Sequence, residues 1–221
     1  MIWMALHDAL LEHFGPQDWW PGETPFEVMV GAVLTQNTAW TNVERAIAAL
    51  KAGDALSVTA ILSLPDAALA NLIRPAGYFN VKARRLKALC QFLHNSGVAD
   101  APERLAAQAA LPELRERLLA VHGVGEETAD SILLYALDQP SFVVDTYTRR
   151  SFTRLGLLTG NESYATIQTR FHTELPTDRA LFNEFHALIV ALGKHYCRPK
   201  PRCAGCPLLT RCPHGQALSL R

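Results

Sequence analysis

Neither sign of charge is in excess in this 221-residue chain: 21 Lys and Arg stand against 21 Asp and Glu. No global positive surplus therefore advertises a nucleic-acid partner. No apolar run approaches the length needed to span a membrane. The opening MIWMALHDALLEHFG lacks a cationic start and carries Asp8 and Glu12, so no membrane partner is expected. Cysteine is scarce and unevenly placed, with four of the five between Cys197 and Cys212. An odd, crowded set argues against a secreted disulfide framework and for a metal site in a reducing, cytoplasmic setting, nucleoid-associated if the source is bacterial. Alternating strand patterns are missing as well. So are internal repeats, low-complexity tracts and linkers, which leaves any domain boundary hidden from composition.

What is present is helical spacing almost throughout, which predicts an all-α fold with a core that 49% hydrophobic residues can fill. Thr24-Pro25-Phe26-Glu27 combines an N-cap, a proline at the first helical position and a capping-box acid, and predicts a helix through about Leu34. Further helices are expected from Asn37 or Thr38 to Lys51, from Ser57, from Pro65, and from Asn80 to about His94. Two more, Ala101 to Ala110 and Leu111 to Ala120, are set apart by Pro112. Asp145 opens another after an extended stretch, and Asn161 and Thr177 are candidate caps for the last two.

Charge is unevenly distributed despite its balance. No acid follows Glu184, whereas Lys194, Arg198, Lys200, Arg202, Arg211 and Arg221 all do. A second basic knot, Lys82, Arg84, Arg85 and Lys87, reads equally well as a solvated helix face. Between two helical segments lies V-H-G-V-G, Val121 to Gly125. Glycines at 123 and 125 permit positive φ and leave backbone N–H groups uncovered where the next helix begins, which makes an anion site. A DNA phosphate there would need no Lys or Arg. The helix that follows carries an apolar stripe of Ala129, Ile132, Leu133, Ala136 and Leu137.

The stretch V-H-G-V-G-E-E-T-A (Val121 to Ala129) followed by V-V-D-T (Val143 to Thr146) resembles the endonuclease III superfamily of helix-hairpin-helix DNA glycosylases. P-F-E-V-M-V-G-A-V-L-T-Q-N-T (Pro25 to Thr38) and the C-terminal cysteines extend that resemblance over nearly the whole chain. It implies a six-helix domain with the hairpin, residues 20–134, and a second helical domain from residues 1–19 plus 135–221. It also implies a double-stranded DNA partner whose damaged nucleotide is flipped out of the stack, bound by Gly123, Val124 and Gly125. Monomer is the default expectation.

Members of that superfamily that also cut the strand carry a lysine where this chain has Glu127. A carboxylate forms no imine, so amine-driven lyase chemistry at that position is excluded and AP-lyase activity is expected to be weak or absent. Hydrolysis remains. Asp145, taken alone a plain N-cap, becomes through its place in V-D-T the expected catalytic carboxylate. It would stabilise an oxocarbenium-like sugar and orient the attacking water. Without a lysine nucleophile the favoured substrate is a good leaving group, such as a cationic alkylated purine selected by aromatic faces. Q-N-T-A-W-T-N-V-E makes the chain most similar to the 3-methyladenine glycosylase branch. That implies a base pocket from Trp19, Trp20, Pro21 and Trp40, with Gln36 or Asn37 filling the gap left by the flipped base.

Cys197, Cys203, Cys206 and Cys212 give C-x5-C-x2-C-x5-C, a spacing that fits zinc or a [4Fe–4S] cluster. The resemblance implies [4Fe–4S], although the first loop is one residue shorter than the family's. That loop interleaves Arg198, Lys200 and Arg202 with two stiffening prolines and suits a phosphate-contacting lobe. Cys90, on an apolar helix, reads as an inert core thiol. Two rival readings stand beside the alkylpurine one. They are a glycosylase for oxidised pyrimidines and a DNA-binding or damage-sensing protein that has lost catalysis.

Overall fold

The computed structural model describes residues 2–219, so Arg221 of the basic tail lies outside the described residues. All regular elements among them are helical. The chain forms two compact units, Trp20–Gln139 and Met1–Trp19 with Pro140–Arg221. α1 (Ile2–Phe14) belongs to the second of these.

The Trp20–Gln139 unit is built around α2 (Pro25–Leu34), in which every residue from Phe26 to Leu34 is buried. A helix apolar on all sides has to sit at the centre of its unit. Around it pack α3 (Trp40–Ala52), α6 (Phe79–Asn95), α8 (Glu126–Ser131) and a π-helical turn, Ile132–Ala136. α4 (Val58–Ser63) and α5 (Asp66–Leu72) cover α6, and α7 (Leu111–Leu119) packs on α8. The Thr24 cap forms as its sequence dictates, its hydroxyl accepting the Glu27 N–H at 3.1 Å. All five residues of the apolar stripe behind the hairpin are buried.

Several boundaries differ from the expected ones. α3 starts at Trp40 with Ala39 as its N-cap, because Asn37 is in the left-handed region (φ 54°) and cannot open a helix. The segment expected as a helix from Ala101 to Ala110 is a short 3-10 turn, Pro102–Ala107. The basic knot is a solvated face only at Arg84. Lys82 is buried, and its Nζ donates to Leu34 O (2.8 Å) and Ala76 O (2.7 Å). One ammonium thus closes the end of α2 and the end of the Arg74–Ala76 turn together. Burial, aided by the charge of Arg85, lowers its pKa to about 8. Arg85 bonds Gln36, and Lys87 bonds Leu64 O and Asp66. Arg84 stays exposed.

In the second unit, α9 (Thr146–Arg154) packs on α11 (Arg179–His195), as does α1, and α10 (Tyr164–Glu174) supplies aromatic core. Trp3 meets Phe152 and Phe171 at 4.8 and 4.6 Å, and Phe142 stacks on Phe171 at 3.7 Å. α9 and α11 approach so closely that a Cβ on Gly193 would overlap the Tyr147 ring. The caps of α10 and α11 are Ser163 and Asp178, not Asn161 and Thr177. α12 (Pro213–Ser219) is the last helix of the described residues.

Candidate active site and cysteine centre

Asp145 sits where the extended stretch before α9 turns into the helix. That stretch is fixed from both sides. The Phe142 N–H donates to His172 Nε2 (3.1 Å), Gln168 Nε2 donates to Phe142 O (2.8 Å), and the Val144 N–H donates to the Tyr164 hydroxyl (3.2 Å). Asp145 Oδ1 accepts the Thr148 N–H at 2.7 Å, so the carboxylate caps α9. Its Oδ2 lies 3.6 Å from Nε2 of His186, a buried side chain of α11. At that separation the contact is an ion pair when His186 is protonated, not a hydrogen bond. Burial pushes the Asp145 carboxyl up, but His186 and the Thr148 N–H outweigh it and hold the group below the usual carboxylate range. A buried carboxylate kept ionised, with one oxygen anchored, is suited to facing a developing positive charge.

In the Trp20–Gln139 unit the hairpin is pinned by Val121 and Val124, both buried, with the Val124 N–H donating to Val121 O at 3.0 Å. Gly123 has φ 83° and needs to be glycine. Gly125 does not adopt the expected positive φ; its φ is −95° and a Cβ there would meet open space. Glu127 is exposed in the first turn of α8. Gln36 is drawn into the hairpin, its Nε2 donating to Gly123 O (3.1 Å) and Thr128 Oγ1 (2.9 Å). Asn37 is exposed.

The expected pocket residues fall in both units. Trp20 and Trp40 meet edge to face at 5.2 Å, and Tyr135, absent from the sequence reading, adds a third ring 5.0 Å from Trp20. Gly31 makes the room: a Cβ there would stand 3.3 Å from Trp20 Nε1 and 3.5 Å from Trp40 Cη2. Pro21 is exposed. Trp19 belongs to the other unit, where Lys194 Nζ lies 5.4 Å from its ring centroid. His186 and Tyr135 escaped the sequence reading because a single His or Tyr in an apolar helical stretch has no distinguishing spacing.

The four C-terminal cysteines do converge. Cys197, Cys203, Cys206 and Cys212 line one cavity of about 300 Å³, counting its open mouth, together with Arg154, Tyr196 and Gly215. Arg154 Nη1 donates to Cys197 Sγ (3.4 Å) and the Gly215 N–H to Cys212 Sγ (3.3 Å). Arg154 also holds the basic loop, donating to Arg198 O (2.6 Å) and Pro199 O (3.0 Å). Burial and neighbouring thiolates push the Cys203 and Cys206 thiols up. Arg198, Lys200 and Arg202 are exposed. Cys90 is buried in α6, its thiol raised to about 12 by burial.

This geometry, a glycine hairpin in one unit and a capped, ionised aspartate in the other, coincides with a match in sequence. The profile of the HhH-GPD superfamily base excision DNA repair proteins fits residues 30–177. The chain belongs to that superfamily. A protein of Methanocaldococcus jannaschii, provisionally named a DNA repair glycosylase, is 48% identical over 208 residues, 94% of each chain. Among solved structures, an endonuclease III–DNA complex has a TM-score of 0.82 at 22% identity, covering 99% of this chain and 97% of its own, and shows the shared fold. The Helicobacter pylori 3-methyladenine DNA glycosylase bound to 1,N6-ethenoadenine has a TM-score of 0.74 at 30% identity, covering 87% and 95%. HhH-GPD membership makes the chain a DNA glycosylase of base excision repair. No helix among the described residues is long and apolar enough to cross a membrane.

Proposed function

We propose that the protein is a monofunctional glycosylase. It takes double-stranded DNA, accepts a flipped alkylated purine such as 3-methyladenine, and hydrolyses its N-glycosidic bond. The observation that carries this reading is Asp145, buried, anchored through one oxygen by Thr148 and held ionised. As the C1′–N bond breaks, the carboxylate stabilises the positive charge on the sugar, orients water toward C1′ and takes its proton. Glu127, at the position of the lyase lysine, leaves hydrolysis as the route. The neutral base departs with the bonding electrons.

The pocket reading rests on Trp20 and Trp40, with Tyr135 beside them. Trp19 already carries an ammonium over its ring, and a cationic base would be repelled from it. Gln36 is committed to the hairpin, so the gap-filling role falls to Asn37. The hairpin backbone at Gly123, Val124 and Gly125 and the exposed Arg198, Lys200 and Arg202 take DNA phosphates.

The cysteine cavity fits a [4Fe–4S] cluster. Four thiolates at about 2.3 Å from one zinc close into a compact tetrahedron. Here the four cysteines line one cavity, and two of their sulfurs accept N–H donors as cluster ligands do. When bound, the cluster supplies a rigid cross-link for the basic loop. Base release from duplexes bearing 3-methyladenine, uracil or an oxidised pyrimidine tests the function. Release of the alkylated base without strand cleavage is expected. Preferential release of the oxidised pyrimidine would replace the substrate, and binding with no release of any base would refute catalysis.

A further inference from the structure

Arg85, in α6, leans over the hairpin. Its Cγ, Cδ and Nε occupy the space that a Cβ on Gly123 would need. Position 123 must therefore be glycine for two reasons, its positive φ and this close approach. Arg85 Nη1 donates to Gln36 Oε1, while Gln36 Nε2 donates to Gly123 O and Thr128 Oγ1. Every polar atom of the Gln36 amide is thus engaged. Arg85 Nε is buried and has no hydrogen-bond partner among the described residues. The partner it does have, Gln36, is a neutral amide, and no ion pair to Arg85 forms among the described residues. Glu126, an acid beside the hairpin, is drawn to Arg115 at 3.7 Å.

A partly buried guanidinium without a counter-ion is costly unless an anion arrives. We propose that Arg85 completes a phosphodiester-binding site with the hairpin, adding one fixed charge to a site otherwise made of backbone N–H groups. Gln36 is its positioning residue, holding the guanidinium and Gly123 in register. A planar guanidinium beside backbone donors matches the tetrahedral phosphate oxygens. The inference rests on the hairpin reading above.

The test is binding of an undamaged duplex across a salt series, read by fluorescence anisotropy, with melting curves to show that each variant folds. Arg85→Met is expected to weaken binding about tenfold and to flatten the salt slope by about 0.9, the loss of one phosphate contact. Arg85→Lys should keep the slope. Gln36→Glu gives Arg85 an internal carboxylate and should flatten the slope although the guanidinium is still present. Should Arg85→Met fail to fold, Gln36→Glu decides. Gly125→Glu, whose side chain enters open space, separates the two ideas. If it weakens binding while Arg85→Met and Gln36→Glu keep the wild-type slope, the hairpin binds phosphate and Arg85 does not. If Gly125→Glu changes nothing, the hairpin reading fails and the proposal with it.

Discussion

Asp145→Asn separates catalysis from capping. Asparagine keeps a side-chain oxygen, so the 2.7 Å bond from the Thr148 N–H survives and α9 retains its cap. What is lost is the negative charge facing His186 at 3.6 Å. A carboxylate this deeply buried carries a large desolvation cost, which the neutral amide avoids and which offsets most of the lost interaction. The variant is therefore expected to lie within about 2 kcal/mol of wild type in urea unfolding. Chemistry should suffer far more, because a neutral amide neither opposes the sugar's positive charge nor takes a proton. The expected fall is about 10³-fold or more in single-turnover base release, equivalent to about 4 kcal/mol of barrier. Affinity for a duplex with an abasic-site analogue should hold. Release within tenfold of the wild-type rate would show Asp145 to be only a cap. Because the folded-state pKa lies below the unfolded one, the carboxylate's contribution to stability is present above about pH 4 and is lost as pH falls through the folded value.

Three further outcomes follow from the structure. Lys82 is protonated more readily unfolded than folded, so wild-type stability should rise relative to Lys82→Met by about 2–3 kcal/mol as pH climbs from about 8 to 10.5; parallel urea midpoints at the two pH values would refute this. Gly193→Ala forces a methyl into the Tyr147 ring and should cost about 1–3 kcal/mol in thermal unfolding by driving α9 from α11; an unchanged melting curve would contradict the packing. Protein purified without oxygen should carry about four iron and four sulfide per chain, and Cys203→Ser should lose both; a single zinc would overturn the cluster assignment.

What was legible in the sequence was what local chemistry decides. Thr24 and Pro25 specify the start of α2 because cap and proline act within one turn of backbone, whereas Glu27, expected to close a capping box, accepts the Glu23 N–H and pairs with Lys51. Asp145 announces α9 in the same way. Boundaries failed where two polar residues compete: Ser163 and Asp178 cap where Asn161 and Thr177 were equally eligible. Asn37 illustrates the ambiguity of its residue type, since asparagine suits both a cap and the left-handed region. The site was legible in part. Sequence order reveals the hairpin, the aspartate and the four cysteines, but His186 meets Asp145 from 41 residues away in the chain. Only packing of α11 on α9 creates that pair.

Charge balance, which argued against a DNA partner at the outset, has a structural counterpart. Of the mid-chain cations, Lys82 serves two internal carbonyls and Lys87 is shared between Leu64 O and Asp66. Such charges contribute little to an external field, so a count of basic residues overstates the open positive surface. The exposed cations of the Arg198–Arg202 loop carry no nearby acid in sequence, and the hairpin offers N–H groups that no count of Lys and Arg registers. Binding built on few, fixed contacts predicts a shallow salt dependence for the whole protein, with only a handful of phosphates engaged. A steep slope of about ten would mean that a broad basic face, and not these few contacts, carries the DNA.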